Sequence, residues 1–174
     1  MIGDIKDTHA NLWGGNNKIQ EKRGEYYPPV HVKFIENKLV VDDLFKDEKS
    51  KACGLLIGDI ITDINGISVE VLVKEKHDVY PASNQPTRLR DISFNILRST
   101  KNTLDLNILR DGKPKKMTLN LYERKDIEGF YSWYIREDNG TSYKLLDNNI
   151  GYITLKNIKQ EDVDDIKKAF KDTK

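Results

Sequence analysis

The strongest constraint on this chain is a set of tight-turn signals placed between short runs of alternating apolar residues. Asp111-Gly112 separates Leu104, Leu106 and Ile108 from Met117, Leu119 and Leu121, with polar residues at the positions between. Every second residue of a strand faces one side, and Asp-Gly closes a hairpin in two residues. Val30-His31-Val32-Lys33-Phe34 alternates in the same way, and Glu36-Asn37-Lys38 returns it into Leu39-Val40-Val41. Asn65-Gly66 ends a third run, Asp59 to Ile64. These signals predict an antiparallel sheet assembled from hairpins.

Helical spacing interrupts the strands in a fixed order. Lys46 to Cys53 predicts a short charged helix, with Gly54 where a left-handed cap would end it. Val69, Leu72 and Val73 predict a second helix over 69–76, and Pro81 to Pro86 predicts a loop. Leu89, Ile92 and Ile96, with Phe94 or Leu97 beside them, predict a helix over Thr87–Arg98. Residues 30–122 thus form a self-contained α+β unit of five or six short strands and two or three helices.

Composition narrows the function classes. The 29 basic and 28 acidic side chains nearly cancel, which excludes a strongly basic nucleic-acid binder. Lys113-Pro114-Lys115-Lys116 is only a short basic hairpin. No run approaches the roughly 20 apolar residues of a membrane-spanning helix, and Met1 to Ala10 lacks the apolar core of a signal peptide. The single cysteine, Cys53, excludes an internal disulfide and a multi-cysteine metal site, and it reads as a small core filler. His31 reads as a residue on the polar side of its strand, and His77 as a cationic ring at a helix end. No histidine has a second one at ligand spacing, so neither metal nor cofactor is expected.

The flanks read differently from the centre. Residues 1–27 are polar and Gly-containing, and 123–142 read as a linker with an apolar patch at Phe130–Ile135. Ile150 to Leu155 predicts a strand, and Gln160 to Lys171 an amphipathic helix with Val163, Ile166 and Phe170 on one face. A strand followed by a helix ordinarily leads to a parallel strand. The expectation is therefore that 143–174 opens a larger α/β domain.

Two blocks carry a family resemblance. Gly54 to Gly66, read as GL-x-x-GD-x-I-x-x-ING, resembles a block of bacterial PDZ domains, and Ile108 to Lys113 resembles their closing ILRDGK hairpin. The resemblance implies a PDZ-like domain over 28–122, a small, partly open antiparallel β-barrel flanked by two or three helices. Asp7-Thr8-His9-Ala10 resembles the D-(S/T/G)-H segment of tricorn-like and C-terminal-processing serine peptidases, and Leu145 to Ile153 resembles the first strand of their catalytic core. That order implies N-terminal (1–27) and C-terminal (143–174) fragments of a peptidase catalytic region around the PDZ-like unit, in an exported, cell-envelope or periplasmic parent.

The resemblance implies His9 as general base and Thr8 as an auxiliary hydroxyl in the intact parent. Ser50, Ser68, Ser83, Ser93, Ser99, Ser132 and Ser142 all lie outside a Gly-x-Ser-x-Gly elbow, so no peptidase activity is expected of this chain. Its expected partners are an extended peptide or protein substrate and the remainder of its own catalytic domain. The resemblance further implies that a ligand strand adds beside Val30, His31, Val32, Lys33 and Phe34, with Leu89, Ile92, Phe94 and Ile96 as the helix wall and pocket. The competing reading places those apolar residues in the core, and a free-standing PDZ adaptor is the alternative to a peptidase segment. Tyr26-Tyr27-Pro28-Pro29 stands where a carboxylate-binding loop would be, and two prolines remove two N–H donors. Internal segments, or a gating role, are then favoured over a ligand C-terminus; Arg88 and Arg90 near the helix start read as solvated surface residues, with a substitute charge for the carboxylate as the alternative.

Overall fold

The computed structural model describes residues 4–10, 23–45, 47–126, 142–154, 160 and 163–172. They fall into two compact units, 1–130 and 131–174. In the first unit β1 (Tyr26–Tyr27) is followed by β2 (Val30–Ile35), β3 (Lys38–Leu44), helix α1 (Glu48–Ala52), β4 (Ile60–Ile64) and β5 (Ile67–Ser68). Helices α2 (Val69–Lys76) and α3 (Gln85–Ser93) come next, then β6 (Thr103–Arg110), β7 (Lys113–Asn120) and β8 (Tyr122–Glu123).

The main sheet runs β2-β3-β4-β6-β7, with β5 paired to β4, and every pairing in it is antiparallel. It is open: β2 and β7 are its two ends, and it does not close into a barrel. The three turn signals each become a two-residue loop, at Glu36-Asn37, Asn65-Gly66 and Asp111-Gly112. Both residues of each loop have positive φ, the geometry whose twist matches the flanking strands.

One apolar face of the sheet and the helices share a single core. Val32, Leu39, Val41, Ile61, Leu104, Leu106, Ile108 and Leu119 meet Ile92, Ile96 and Leu97 there, and Leu89 is also buried. Helix α3 begins two residues before the predicted Thr87, because Asn84 accepts from the Thr87 N–H and Pro86 occupies the first turn. It also ends earlier than predicted, at Ser93, and the chain to Leu97 continues in turns.

The segment 24–27 is clasped to the unit. Tyr26 exchanges main-chain hydrogen bonds with Ser99, and β1 pairs with β8. The Arg98 guanidinium donates to the Gly24 carbonyl at 2.6 Å and lies 4.3 Å from the Tyr27 ring centroid. A Cβ on Gly24 would lie 2.3 Å from the Ser99 backbone, so only glycine permits this approach.

The second unit holds β9 (Ser142–Leu146) and β10 (Ile150–Thr154), paired antiparallel, and helix α4 (Val163–Asp172). The described partner of β10 is thus the preceding strand and not a parallel one. Asn148 and Asn149, both at positive φ, supply the reversal. The predicted apolar patch at Phe130–Ile135 lies outside the described residues.

The loop entering β4 is fixed by a buried carboxylate. Asp59, with its side chain 1% exposed, receives Arg110 Nε at 2.8 Å and Nη2 at 2.6 Å, and accepts the Leu56 N–H at 2.8 Å. Burial pushes its carboxyl up, but the Arg110 and Leu56 hydrogen bonds outweigh burial and hold it below the ordinary value. Asp59→Ala should cost about 3 kcal/mol in urea denaturation, since it strands the guanidinium. Because the folded-state pKa is depressed, the Asp59 contribution is complete above the unfolded value, about 3.9, and disappears as pH falls through the folded value. Wild type should therefore lose stability more steeply than Asp59→Ala on acidification below pH ~4.

Candidate functional site

The site is built from the outermost strand and the helix beside it. β2 hydrogen-bonds to β3 on one side, and no strand among the described residues pairs with its other side. Helix α3 packs against β2. Val30 and Val32 point into the core, each 3% exposed, while Lys33 is exposed and Phe34 half-buried. On the side away from β3 the strand presents main chain, and its exposed side chains are Lys33 and Ile35.

The predicted helix wall is placed mostly inside the protein. Leu89, Ile92 and Ile96 belong to the core, and Phe94, the residue capping the C-terminal end of α3, is half-buried. Burial of Leu89, Ile92 and Ile96 corresponds to the core reading of these positions. The Phe94 ring meets β2 at His31: the ring centroids lie 6.2 Å apart, tilted by 54°.

His31 departs most from expectation. Its side chain is only 14% exposed, although its strand position suggested a solvent-facing ring. The cause is a bulge in β3. His31 lies opposite Asp43 and Val32 opposite Val41, so Asp42 is an extra residue without a register partner. A bulge re-aims the residue it inserts. Here the Asp42 carboxylate lies 2.5 Å from His31 Nδ1, and its second oxygen receives the Lys33 ammonium at 2.7 Å. His31 Nε2 is buried and has no hydrogen-bond partner among the described residues.

The approach to β2 offers no amide donors at Pro28 and Pro29. The Pro29 carbonyl accepts a hydrogen bond from the buried Ser50 hydroxyl of α1. Arg88 and Arg90 are engaged locally: Arg88 donates to the Tyr80 carbonyl and to His77 Nε2, and Arg90 pairs with Asp91. The His77 ring lies between Arg88, 2.7 Å from Nε2, and Asp78, 3.4 Å from Nδ1.

Thr8 and His9 lie elsewhere. Thr8 Oγ1 is 3.3 Å from the Ser83 hydroxyl and accepts the Ser83 N–H at 3.4 Å, which ties this segment to the loop before α3. The His9 ring is 97% exposed and shares Asp7 Oδ1 with its own backbone N–H. Those bonds hold the Asp7 carboxyl below its ordinary value. Cys53 is half-buried against the core, and burial pushes its thiol up. Among the described residues no cluster of His, Cys, Asp and Glu can hold a metal, and no helix is long and apolar enough to cross a membrane.

No family model and no curated protein matches the sequence. Among solved structures the chain is similar to mature CPAF complexed with lactacystin, at 15% identity and a TM-score of 0.39, covering 55% of this chain and 19% of that one. It is also similar to an HtrA-type protease with a decapeptide, at 20% identity and a TM-score of 0.36, covering 57% of this chain and 29% of that one. The chain thus corresponds to about a fifth of the first protein's length and under a third of the second's.

Ser50→Ala should cost about 1–3 kcal/mol in denaturant melts, because it leaves the Pro29 carbonyl at the entry to β2 buried and unpaired. His9→Ala, at an exposed ring, should change stability by less than about 0.5 kcal/mol.

Proposed function

We propose that the first unit is a PDZ-like peptide-binding module that takes an extended segment of a protein substrate as an added strand on the outer edge of β2. The carrying observation is the asymmetry of the sheet's two ends. Strand β7 holds Pro114 and the exposed Lys113, Lys115 and Lys116, residues that discourage strand pairing. Strand β2 contains no proline, buries Val30 and Val32 inward, and has α3 alongside. An edge left pairable and flanked by a helix suits strand addition, in which main-chain hydrogen bonds supply affinity.

The Pro28-Pro29 entry favours internal segments over a chain terminus, since the donors that would hold a carboxylate are missing there. The sequence blocks at Gly54–Gly66, Ile108–Lys113 and Asp7–Ala10 support the wider reading, in which this module recognises substrate for a serine-type endopeptidase exported to the cell envelope. On that reading His9 serves as general base only once the complete catalytic region surrounds it.

Synthetic decapeptides with free and with amidated C-termini should bind with affinities equal to within about twofold, measured by fluorescence polarisation. N-methylating the two central amides that face β2 should weaken binding roughly 10–100-fold, from the loss of two hydrogen bonds. Strong dependence on a free carboxylate, or indifference to N-methylation, would contradict the proposal.

A further inference from the structure

We infer that the turn Leu56–Asp59, with the basic hairpin beside it, is a membrane-surface contact: Leu56 and Ile57 enter the interface of an anionic lipid bilayer while Lys113 and Lys115 meet its headgroups. The inference is independent of the peptide-binding reading of β2.

Three consecutive apolar side chains part ways here. Leu55 is 2% exposed and fills the core, while Leu56 and Ile57 turn outward at 51% and 63% exposed. Ile57 is the most exposed large apolar side chain among the described residues. No loose loop leaves them there. The Asp59 N–H donates to the Leu56 carbonyl at 3.0 Å, and the Asp59 carboxylate accepts the Leu56 N–H at 2.8 Å, so the turn is closed twice. Gly58, at φ 94°, takes the corner that a side chain would strain, and its N–H donates to the Val41 carbonyl at 2.8 Å. The Gly54 carbonyl accepts from Arg110 at 2.7 Å. With these main-chain groups paired inside the protein, the turn can leave water without stranding them, which is the condition a lipid interface imposes.

Charge around the turn selects the surface. Arg110 pairs in register with Lys113, and Ile108 with Lys115. Ile108 points into the core and Arg110 reaches the 54–59 loop, so Lys113 and Lys115 stand on that same face of the sheet. The Lys115 ammonium also acts on the Asp59 carboxylate through space. Both lysines are exposed. The carboxylates of neighbouring elements are engaged: Asp59 by Arg110, Asp42 by Lys33, Glu48 by Lys51, and Asp43 and Asp47 by main-chain N–H groups. Between Arg110 and Met117, Asp111 is the one acid against Lys113, Lys115 and Lys116. Apolar atoms on a rigid turn enter the acyl boundary, and the ammonium groups beside them are drawn to anionic headgroups. A stable protein interface takes about 20–30 residues a side, far more than a two-residue protrusion offers, whereas a bilayer needs no matching contour.

The test uses the full chain and sedimentation with vesicles of phosphatidylcholine alone, or of equal parts phosphatidylcholine and phosphatidylglycerol. The chain should sediment with the mixed vesicles, come off as salt is raised, and stay in solution with the neutral ones. Leu56→Ser with Ile57→Ser should weaken binding at least about tenfold. Lys113→Gln with Lys115→Gln should weaken it about fivefold per charge. Both pairs are exposed, so the thermal melt should stay in place. A second readout needs no variant. In bicelles of the mixed lipids, a spin-labelled lipid should broaden the Leu56 and Ile57 methyl resonances. Those of Ile67 and Val79, exposed at 43% and 59%, should remain sharp. Absence of binding to the mixed vesicles, equal binding to both kinds, binding that survives both double variants, or broadening spread evenly over all four residues would overturn the proposal. So would self-association without lipid that Leu56→Ser with Ile57→Ser abolishes, which would assign the turn to a second copy of this chain.

Discussion

The Asp59–Arg110 pair ties the loop entering β4 to the far end of β6. Asp59 closes the turn from Leu56 through its carboxylate, while its main chain and that of Gly58 pair with Val41 of β3. Arg110 comes from the last residue of β6, immediately before the hairpin turn, and also donates to the Gly54 carbonyl. One guanidinium thus pins the end of the α1 loop, the start of β4 and the far end of β6. With those points fixed, β4 takes its register on β3 and β6, and the core residues of all three strands face one side. A buried carboxylate is costly unless fully paired, so the same interaction that orders the loop also penalises every arrangement in which Arg110 is elsewhere.

That frame sets the position of the two sheet ends and gives them different chemistry. At β7 the polar positions are lysines and a proline, and the edge is blunted by sequence alone. At β2 the outer edge carries no proline, and beside it the Asp42 carboxylate of β3 pairs with Lys33 and lies against His31.

Much of this was legible locally. Turns at Glu36-Asn37, Asn65-Gly66 and Asp111-Gly112 declare themselves because positive φ is a demand on two residues, independent of anything distant. The strands between them follow from alternation. Helix α3 was placed two residues late at its start, although Asn84 and Pro86 carry the start signal, because the loop-forming residues around them masked it. The sequence does not show hairpin β9–β10, because the resemblance takes Leu145 to Ile153 as one strand, whereas Asn148 and Asn149 at positive φ reverse the chain within it. The burial of His31 was not legible at all. Alternation reports which face a side chain takes, but not that a bulge at Asp42 and a helix end at Phe94 converge on that face. The signal that existed was the pair Asp42-Asp43 directly following Leu39-Val40-Val41 within one strand.

Pairing of a ligand strand at the outer edge of β2, as proposed, is read by amide hydrogen exchange on the full chain with and without a saturating pool of capped internal decapeptides. Outward-facing amides within Val30–Ile35 should gain protection while those along the outer edge of β7 stay unchanged. Protection appearing at β7, or exchange in β2 indifferent to bound peptide, would contradict it.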